Sequence, residues 1–118
     1  MRLTGGRDYT EGRVEIFANG TWGTICDTGW DLNTASIVCR QLGLQGARLA
    51  STYSFPFLDN LDILLGDLMC VGDERTLLDC QRVGLGNCDR SKDAAVVCES
   101  KIFYILLLIL ISCKELLF

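Results

Sequence analysis

Six cysteines between positions 26 and 98 constrain this chain more than any other feature of its sequence. The seventh cysteine, Cys113, stands apart in a hydrophobic tail. The other six are Cys26, Cys39, Cys70, Cys80, Cys88 and Cys98. An even set in so short a span is typical of a disulfide framework, so we expect three disulfides and folding in an oxidising, extracellular compartment.

A metal site is the main alternative for so many cysteines. Zinc sites usually pair ligands a few residues apart and often include histidine. This chain has no histidine and no Cys-x-x-Cys pair, so the spacing favours disulfides. Six cysteines can pair in many ways, and the spacing alone does not choose among them.

Length and charge narrow the functional classes. The chain has 118 residues, enough for one domain, and a formal net charge of −4, which argues against nucleic acid as a dedicated partner. Without histidine the usual general base is missing, and the neighbouring acids Asp73 and Glu74 are interpreted as a solvated turn. We therefore expect no enzyme.

A β-hairpin is the clearest local pattern. In residues 13–17, Val14 and Ile16 share one face of a strand, and residues 21–26 form the predicted return strand. Between them, Asn19 and Gly20 suit a two-residue turn in which both residues have positive φ.

One helix is predicted at residues 34–42, capped by Asp31 or Asn33 and ended by Gly43. Its apolar stripe includes Cys39, so the partner of Cys39 is expected on a strand packed beneath the helix. Residues 93–98 are the candidate strand. Residues 84–87 are predicted to be a loop, and one helix on short strands indicates an α+β fold.

Four motifs of the chain occur together in a known family. They are Glu-Gly-Arg-Val-Glu at 11–15, Asn-Gly-Thr-Trp-Gly-Thr-Ile-Cys-Asp at 19–27, Gly-Trp-Asp at 29–31 and Val-Cys-Arg-Gln-Leu-Gly at 38–43. With the later cysteines and the segments 77–80 and 93–98, they make residues 2–99 resemble the scavenger receptor cysteine-rich domain. The resemblance implies a curved antiparallel β-sheet that cradles one α-helix, held by three disulfides.

The resemblance also implies a subgroup and a pairing. Group B members carry an additional disulfide, with one cysteine before the Glu-Gly-Arg-Val motif and one after the Gln-Leu-Gly motif. In this chain those two places hold Thr10 and Leu44, so the chain resembles group A. The pairing that it implies is Cys26–Cys88, Cys39–Cys98 and Cys70–Cys80. The middle pair agrees with the helix-to-strand link inferred from the residues.

Some members of this family bind calcium and anionic or protein ligands through an acidic cluster. The matching positions here hold Asp27, Thr28 and Lys92. Calcium needs several oxygen ligands, and Lys92 would oppose a divalent ion and instead pair with Asp27. We expect no cofactor, with weak or absent calcium binding, and interpret Asp27, the only remaining metal candidate, as a turn carboxylate.

Two further features bear on surface chemistry. Asn19-Gly20-Thr21 is an N-glycosylation sequon, although its Asn-Gly pair builds the hairpin with or without a glycan. Trp22 and Trp30 are candidate anchors for a partner, but tryptophans in such strands more often pack, so we expect both in the core.

The ends of the chain differ from the domain between them. Residues 1–4 contain no apolar signal segment, so secretion is expected to depend on a longer parent protein. We divide the chain into a domain at 1–100 and a hydrophobic tail at 101–118. A membrane-spanning helix needs about 20 residues, and the apolar run of the tail is shorter. We interpret the tail as a truncated membrane segment or a gene-model artefact. A helix docked on the domain is the third interpretation.

The leading hypothesis is an extracellular ligand-recognition module of a scavenger-receptor-like membrane or secreted protein. Its expected partners are extracellular proteins or polyanionic ligands, and it is expected outside the cell or at the cell surface. The alternative is a non-binding auxiliary or spacer domain of a larger secreted enzyme, since the family also occurs beside protease and oxidase domains.

Overall fold

The structure is a computed structural model that describes residues 1–53, 61–82, 88 and 92–116 of the chain. Its strands are β1 (Arg2–Gly5), β2 (Glu11–Ala18), β3 (Thr21–Ile25), β4 (Ala47–Tyr53), β5 (Asp62–Leu65), β6 (Leu68–Met69), β7 (Gln81–Arg82) and β8 (Asp93–Cys98). Its helices are α1 (Leu32–Gln41) and α2 (Lys101–Leu116), with a short 3₁₀ helix at Leu77–Asp79.

The main sheet has the strand order β4-β8-β2-β3-β5, with β1 paired to β2. The α+β class, with a curled sheet around a helix, is confirmed. The expectation of a purely antiparallel sheet is wrong at one place, because β5 runs parallel to β3. Parallel neighbours need a long crossover, and here α1 and β4 lie between the two strands in the chain.

The predicted hairpin is present. Asn19 and Gly20 have φ values of 52° and 82°, and Phe17 pairs with Trp22 across the two strands. The first strand is longer than predicted and begins at Glu11, because its first half pairs with both β1 and β8.

Helix α1 begins two residues before the predicted start. The Asp31 carboxylate caps it by accepting a hydrogen bond of 2.9 Å from the Thr34 backbone N–H, so Asp31 rather than Asn33 is the cap. Gly43 follows the helix with a φ of 80°, as the pattern predicts. The predicted stripe is buried through Ala35, Val38 and Cys39, which face the sheet.

Strand β8 has the predicted bounds and closes the core against α1. Its small residues Ala94 and Ala95 are almost fully buried, as is Val96. These side chains allow the helix to approach closely, and the Cα atoms of Cys39 and Cys98 lie 5.6 Å apart. The helix-to-strand link that the periodicity indicated is therefore the centre of the core.

Helix α2 covers most of the hydrophobic tail, and the side chains of residues 105–111 are 44–61% exposed. Within the described residues, no helix is both long and apolar enough to cross a membrane. The interpretations of the tail stay predictions. The loop predicted at 84–87 lies outside the described residues.

Candidate functional site

The structure brings together the six domain cysteines in three pairs. Cα atoms are 5.7 Å apart in Cys26–Cys88, 5.6 Å in Cys39–Cys98 and 4.9 Å in Cys70–Cys80. These are the pairs that the family resemblance implies, and the distances lie in the usual range for disulfides. Cys113 is exposed on α2 and belongs to none of the bridges.

The three positions of the acidic cluster lie around the first of these bridges. Cys26 forms an isolated antiparallel bridge with Asp93, so Asp27 and Lys92 are the next neighbours in register. Asp27 is half-buried, whereas Thr28 and Lys92 are exposed. In the described part of the chain no ion pair joins Asp27 to Lys92, so the salt bridge expected between them is not formed.

Local hydrogen bonds fix the shape of this corner. The Trp30 backbone N–H donates to the Asp27 carbonyl at 3.0 Å, and the Asp67 N–H donates to the Thr28 carbonyl at 3.1 Å. The Thr28 hydroxyl lies 3.3 Å from the Cys26 sulfur. Since a bridged sulfur carries no proton, the hydroxyl is the donor, and its hydrogen points at the disulfide.

The donor set of the three cluster positions does not fit a calcium ion. They offer one carboxylate, one hydroxyl and an ammonium group, whereas calcium takes six to eight oxygen ligands. A second cluster, Cys70 with Glu74 and Cys80, has ligand atoms within 4.8 Å of one another. Its sulfurs form a disulfide and are not thiolates, so they do not ligate a metal.

A buried charge network holds the start of β8, directly after Lys92. Asp93 is 1% exposed and accepts hydrogen bonds from Arg13 at 3.5 Å and from the Thr24 hydroxyl at 3.4 Å. Arg13 also donates to Glu15 at 2.6 Å. The network fixes the start of β8 and leaves Lys92, one residue earlier, directed to solvent.

Glu15 is the centre of this network. It accepts further hydrogen bonds from Arg2 at 2.7 Å and from the Thr4 hydroxyl at 2.9 Å. Burial raises the pKa of Glu15, but the hydrogen bonds from Arg13, Arg2 and Thr4 outweigh it, so its pKa lies below the ordinary value. The carboxylate is therefore ionised at neutral pH.

Sequence reasoning missed the structural role of Arg13, Glu15 and Asp93. A signal was present, because Arg13 and Glu15 alternate with Val14 and Ile16 on a strand and therefore share one face. Opposite charges on one face of a strand form an ion pair when that face is buried. The missing information was that β1 and β8 pair with this strand and bring Arg2, Thr4 and Asp93 against that face.

The two tryptophans differ in their surroundings. Trp30 packs against the core and donates its indole N–H to the Ala95 carbonyl at 2.9 Å, so the core interpretation holds for it. Both tryptophans are half-buried, but among the described residues Trp22 does not pack against the core, so the core interpretation is wrong for it. The Trp22 ring lies 5.3 Å from that of Phe17, with the Arg2 guanidinium 3.8 Å above it.

Calcium response provides a direct test of the Asp27 corner. We expect calcium to leave the melting temperature of the wild type unchanged, and to raise that of a Thr28→Asp, Lys92→Glu double variant by several degrees, since this variant has three carboxylates. Calorimetry in calcium against EDTA measures both. The Thr28→Asn, Lys92→Gln variant is the uncharged control, and a calcium-dependent rise in the wild type contradicts the prediction.

Comparison with known proteins shows which family has this architecture. The sequence model of the family described as "Scavenger receptor cysteine-rich domain" matches residues 4–99. A "Scavenger receptor cysteine-rich domain superfamily protein" of Patiria pectinifera is 43% identical over 104 residues, which cover 86% of this chain. The match corresponds to 9% of that relative's length.

Solved structures of domains from this family have a similar fold. The third SRCR domain of murine neurotrypsin superposes with a TM-score of 0.73 at 44% identity, covering 83% of this chain and 94% of that domain. The dimeric form of the SRCR domain of mouse MARCO gives a TM-score of 0.63 at 37% identity, covering 84% and 94%. Both similarities extend across almost the whole of the compared domain.

Proposed function

Because this chain belongs to the scavenger receptor cysteine-rich (SRCR) family, whose domains are generally non-enzymatic, extracellular receptor modules, we propose that it is a recognition module for anionic ligands that works without calcium. The ligand's anionic groups, carried by a protein or a polyanion, bind beside Cys26. The observation that carries the proposal is Lys92, an exposed cation at a position where the family resemblance implies an acid.

The corner beside Cys26 presents a positive charge to solvent at Lys92. Where some members of the family hold a metal ion among carboxylates, this chain presents an ammonium group that needs no metal to attract an anion. Lys92 has no ion-pair partner among the described residues, so its charge is available to a ligand. The buried network at Asp93 holds its backbone in place, which limits the entropy lost on binding.

Binding of a sulfated polyanion such as dextran sulfate provides the experiment. We expect the wild-type chain to bind it equally well in calcium and in EDTA, and less well as salt increases. Lys92→Gln is expected to weaken binding about tenfold, since a charge-assisted hydrogen bond is worth roughly 1.5–3 kcal/mol. Asp27→Asn is expected to strengthen binding, because it removes the negative charge that lies next to Lys92 in register.

Arg48→Gln is the matched control. Arg48 is an exposed cation on β4, and its neighbour Ala47 pairs with Cys98 at the far end of β8. The length of β8 therefore separates Arg48 from Lys92 by roughly 20 Å. Binding by this variant should stay close to that of the wild type. An equal loss in both variants would show that only net charge matters, and loss of binding in EDTA would show that a metal ion is required; either result overturns the proposal.

The second candidate is an auxiliary or spacer domain within a larger protein. It is favoured by one observation, that the matched relative is many times longer than the segment it shares with this chain. On this reading the chain binds no polyanion at low salt, with or without calcium. The same titration therefore separates the two candidates.

A further inference from the structure

An apolar groove of about 380 Å³ lies beside the turn of the hairpin. Its lining includes Phe17, Asn19, Leu64, Leu65, Leu77 and Leu78. Phe17 is 55% exposed and Leu78 is 67% exposed, so large apolar side chains on both sides face solvent.

The lining contains a point of covalent attachment. Asn19 lies at the tip of the hairpin and is the acceptor of the sequon Asn19-Gly20-Thr21. Its side chain is exposed, and no hydrogen bond engages it within the part of the chain that the structure describes. Gly20 has no atom within 4 Å of where a Cβ would stand, so the turn is open on that side.

We infer that Asn19 carries an N-linked glycan whose first N-acetylglucosamine packs on Phe17 and covers the groove. Phe17 lies two residues before Asn19, and both residues line the same groove. The C–H face of a pyranose ring is apolar and stacks on aromatic rings. Phe17 is itself held in place by Trp22, whose ring lies 5.3 Å away.

The modification needs a donor of known chemical class, a lipid-diphosphate-linked oligosaccharide. The Nδ2 atom of Asn19 forms a bond to C1 of the first sugar while the bond from C1 to the diphosphate oxygen breaks. The lipid diphosphate leaves with the bonding electron pair, and the amide nitrogen releases one proton. No oxidation or reduction is involved, and the inference is independent of anion binding at Lys92.

The groove is matched to a sugar by its polar rim as well as by its apolar floor. Gln41 and Arg82 contribute the amide and guanidinium groups of its lining. The Gln41 Oε1 atom already accepts a hydrogen bond of 2.9 Å from the Leu77 backbone, which fixes the orientation of that amide. The Arg82 guanidinium is a donor suited to sugar hydroxyl and acetamido oxygens.

The experiment uses the full chain secreted from a eukaryotic cell behind an added signal peptide. Intact mass is expected to show a glycan at Asn19, and Asn19→Asp, which tolerates the same turn, supplies the unglycosylated form. We expect the glycan to raise the melting temperature by about 4 °C or more when Phe17 is present. The rise should disappear in Phe17→Ser and shrink in Leu78→Ser.

Leu49→Ser is the matched control, since Leu49 is 52% exposed on β4, outside the lining of the groove. It should leave the effect of the glycan unchanged. NMR provides a readout independent of stability, with sugar protons shifted upfield by the Phe17 ring. An unmodified Asn19, or a glycan whose effect and chemical shifts are the same with and without Phe17, overturns the inference.

Discussion

Replacing Cys39 and Cys98 together by alanine is expected to lower the free energy of unfolding by about 4 kcal/mol. The two residues are 59 apart in the chain, and the stabilisation by a disulfide grows with the length of the loop that it closes. Both are buried between α1 and β8, so removing the sulfurs also leaves a cavity. Urea denaturation at neutral pH measures the loss.

The Cys70→Ala, Cys80→Ala variant is the matched control. These residues are only 10 apart, so the same reasoning predicts a smaller loss, about 3 kcal/mol. Small domains have about 5–15 kcal/mol in total, so both losses are a large share of the stability, and the first variant should be the less stable by about 1 kcal/mol. A larger loss from the shorter loop would contradict this account of the core.

Glu15→Gln is expected to cost about 3 kcal/mol at neutral pH. The substitution leaves the buried Arg13 guanidinium without its closest carboxylate, and breaking one partner of a buried ion pair is strongly destabilising. It also weakens the hydrogen bonds from Arg2 and Thr4. Chemical denaturation of the two proteins side by side gives the difference.

The pH dependence of this difference has a definite sign. The folded-state pKa of Glu15 lies below its unfolded value, near 4.5. Its contribution is therefore complete above about pH 4.5 and is lost as the pH falls through the folded-state pKa. We expect the difference between the wild type and Glu15→Gln to be largest near neutral pH and to shrink on acidification.

Glu11→Gln is the control for both measurements, because Glu11 lies on the same strand as Glu15 but pairs with Arg7, whose side chain is 83% exposed. Its effect should be smaller, since the cation that it leaves behind is solvated. If the two glutamate variants cost the same, the buried network does not stabilise the domain.

Local features of the fold could be predicted from the sequence because each depends on a few neighbouring residues. Asn19 and Gly20 determine the hairpin turn, Asp31 and Gly43 limit the helix, and the small residues of 93–98 indicate the strand beneath it. Each of these patterns acts through backbone geometry that is fixed within a turn or two. The structure agrees with all of them.

Long-range pairings could not be predicted in this way. The parallel pairing of β5 with β3 joins Gly23 to Asp62, which are far apart in the chain and carry no mutual signal. The first residues of the chain also form a strand, β1, whose Leu3 pairs with Val14. This pairing brings Arg2 and Thr4 to Glu15, and nothing in the local sequence of either strand indicates it.

The candidate site shows the same division. The loss of two acids from the cluster is visible in the sequence as Thr28 and Lys92. The sequence does not show the environment of those residues. The Thr28 hydroxyl points at the Cys26 sulfur, and no ion pair joins Lys92 to Asp27 in the described part of the chain. A tryptophan in such a strand likewise predicts a core position, but Trp22 lies on the hairpin surface against Arg2 and Phe17.

The pairing of the cysteines underlies both the fold and the placement of Lys92 beside Cys26. Peptide mapping of the secreted, non-reduced chain tests it most directly. The account predicts three linked peptide pairs, Cys26 with Cys88, Cys39 with Cys98 and Cys70 with Cys80, and a Cys113 outside all three. A peptide that links Cys39 to any cysteine other than Cys98 would contradict it.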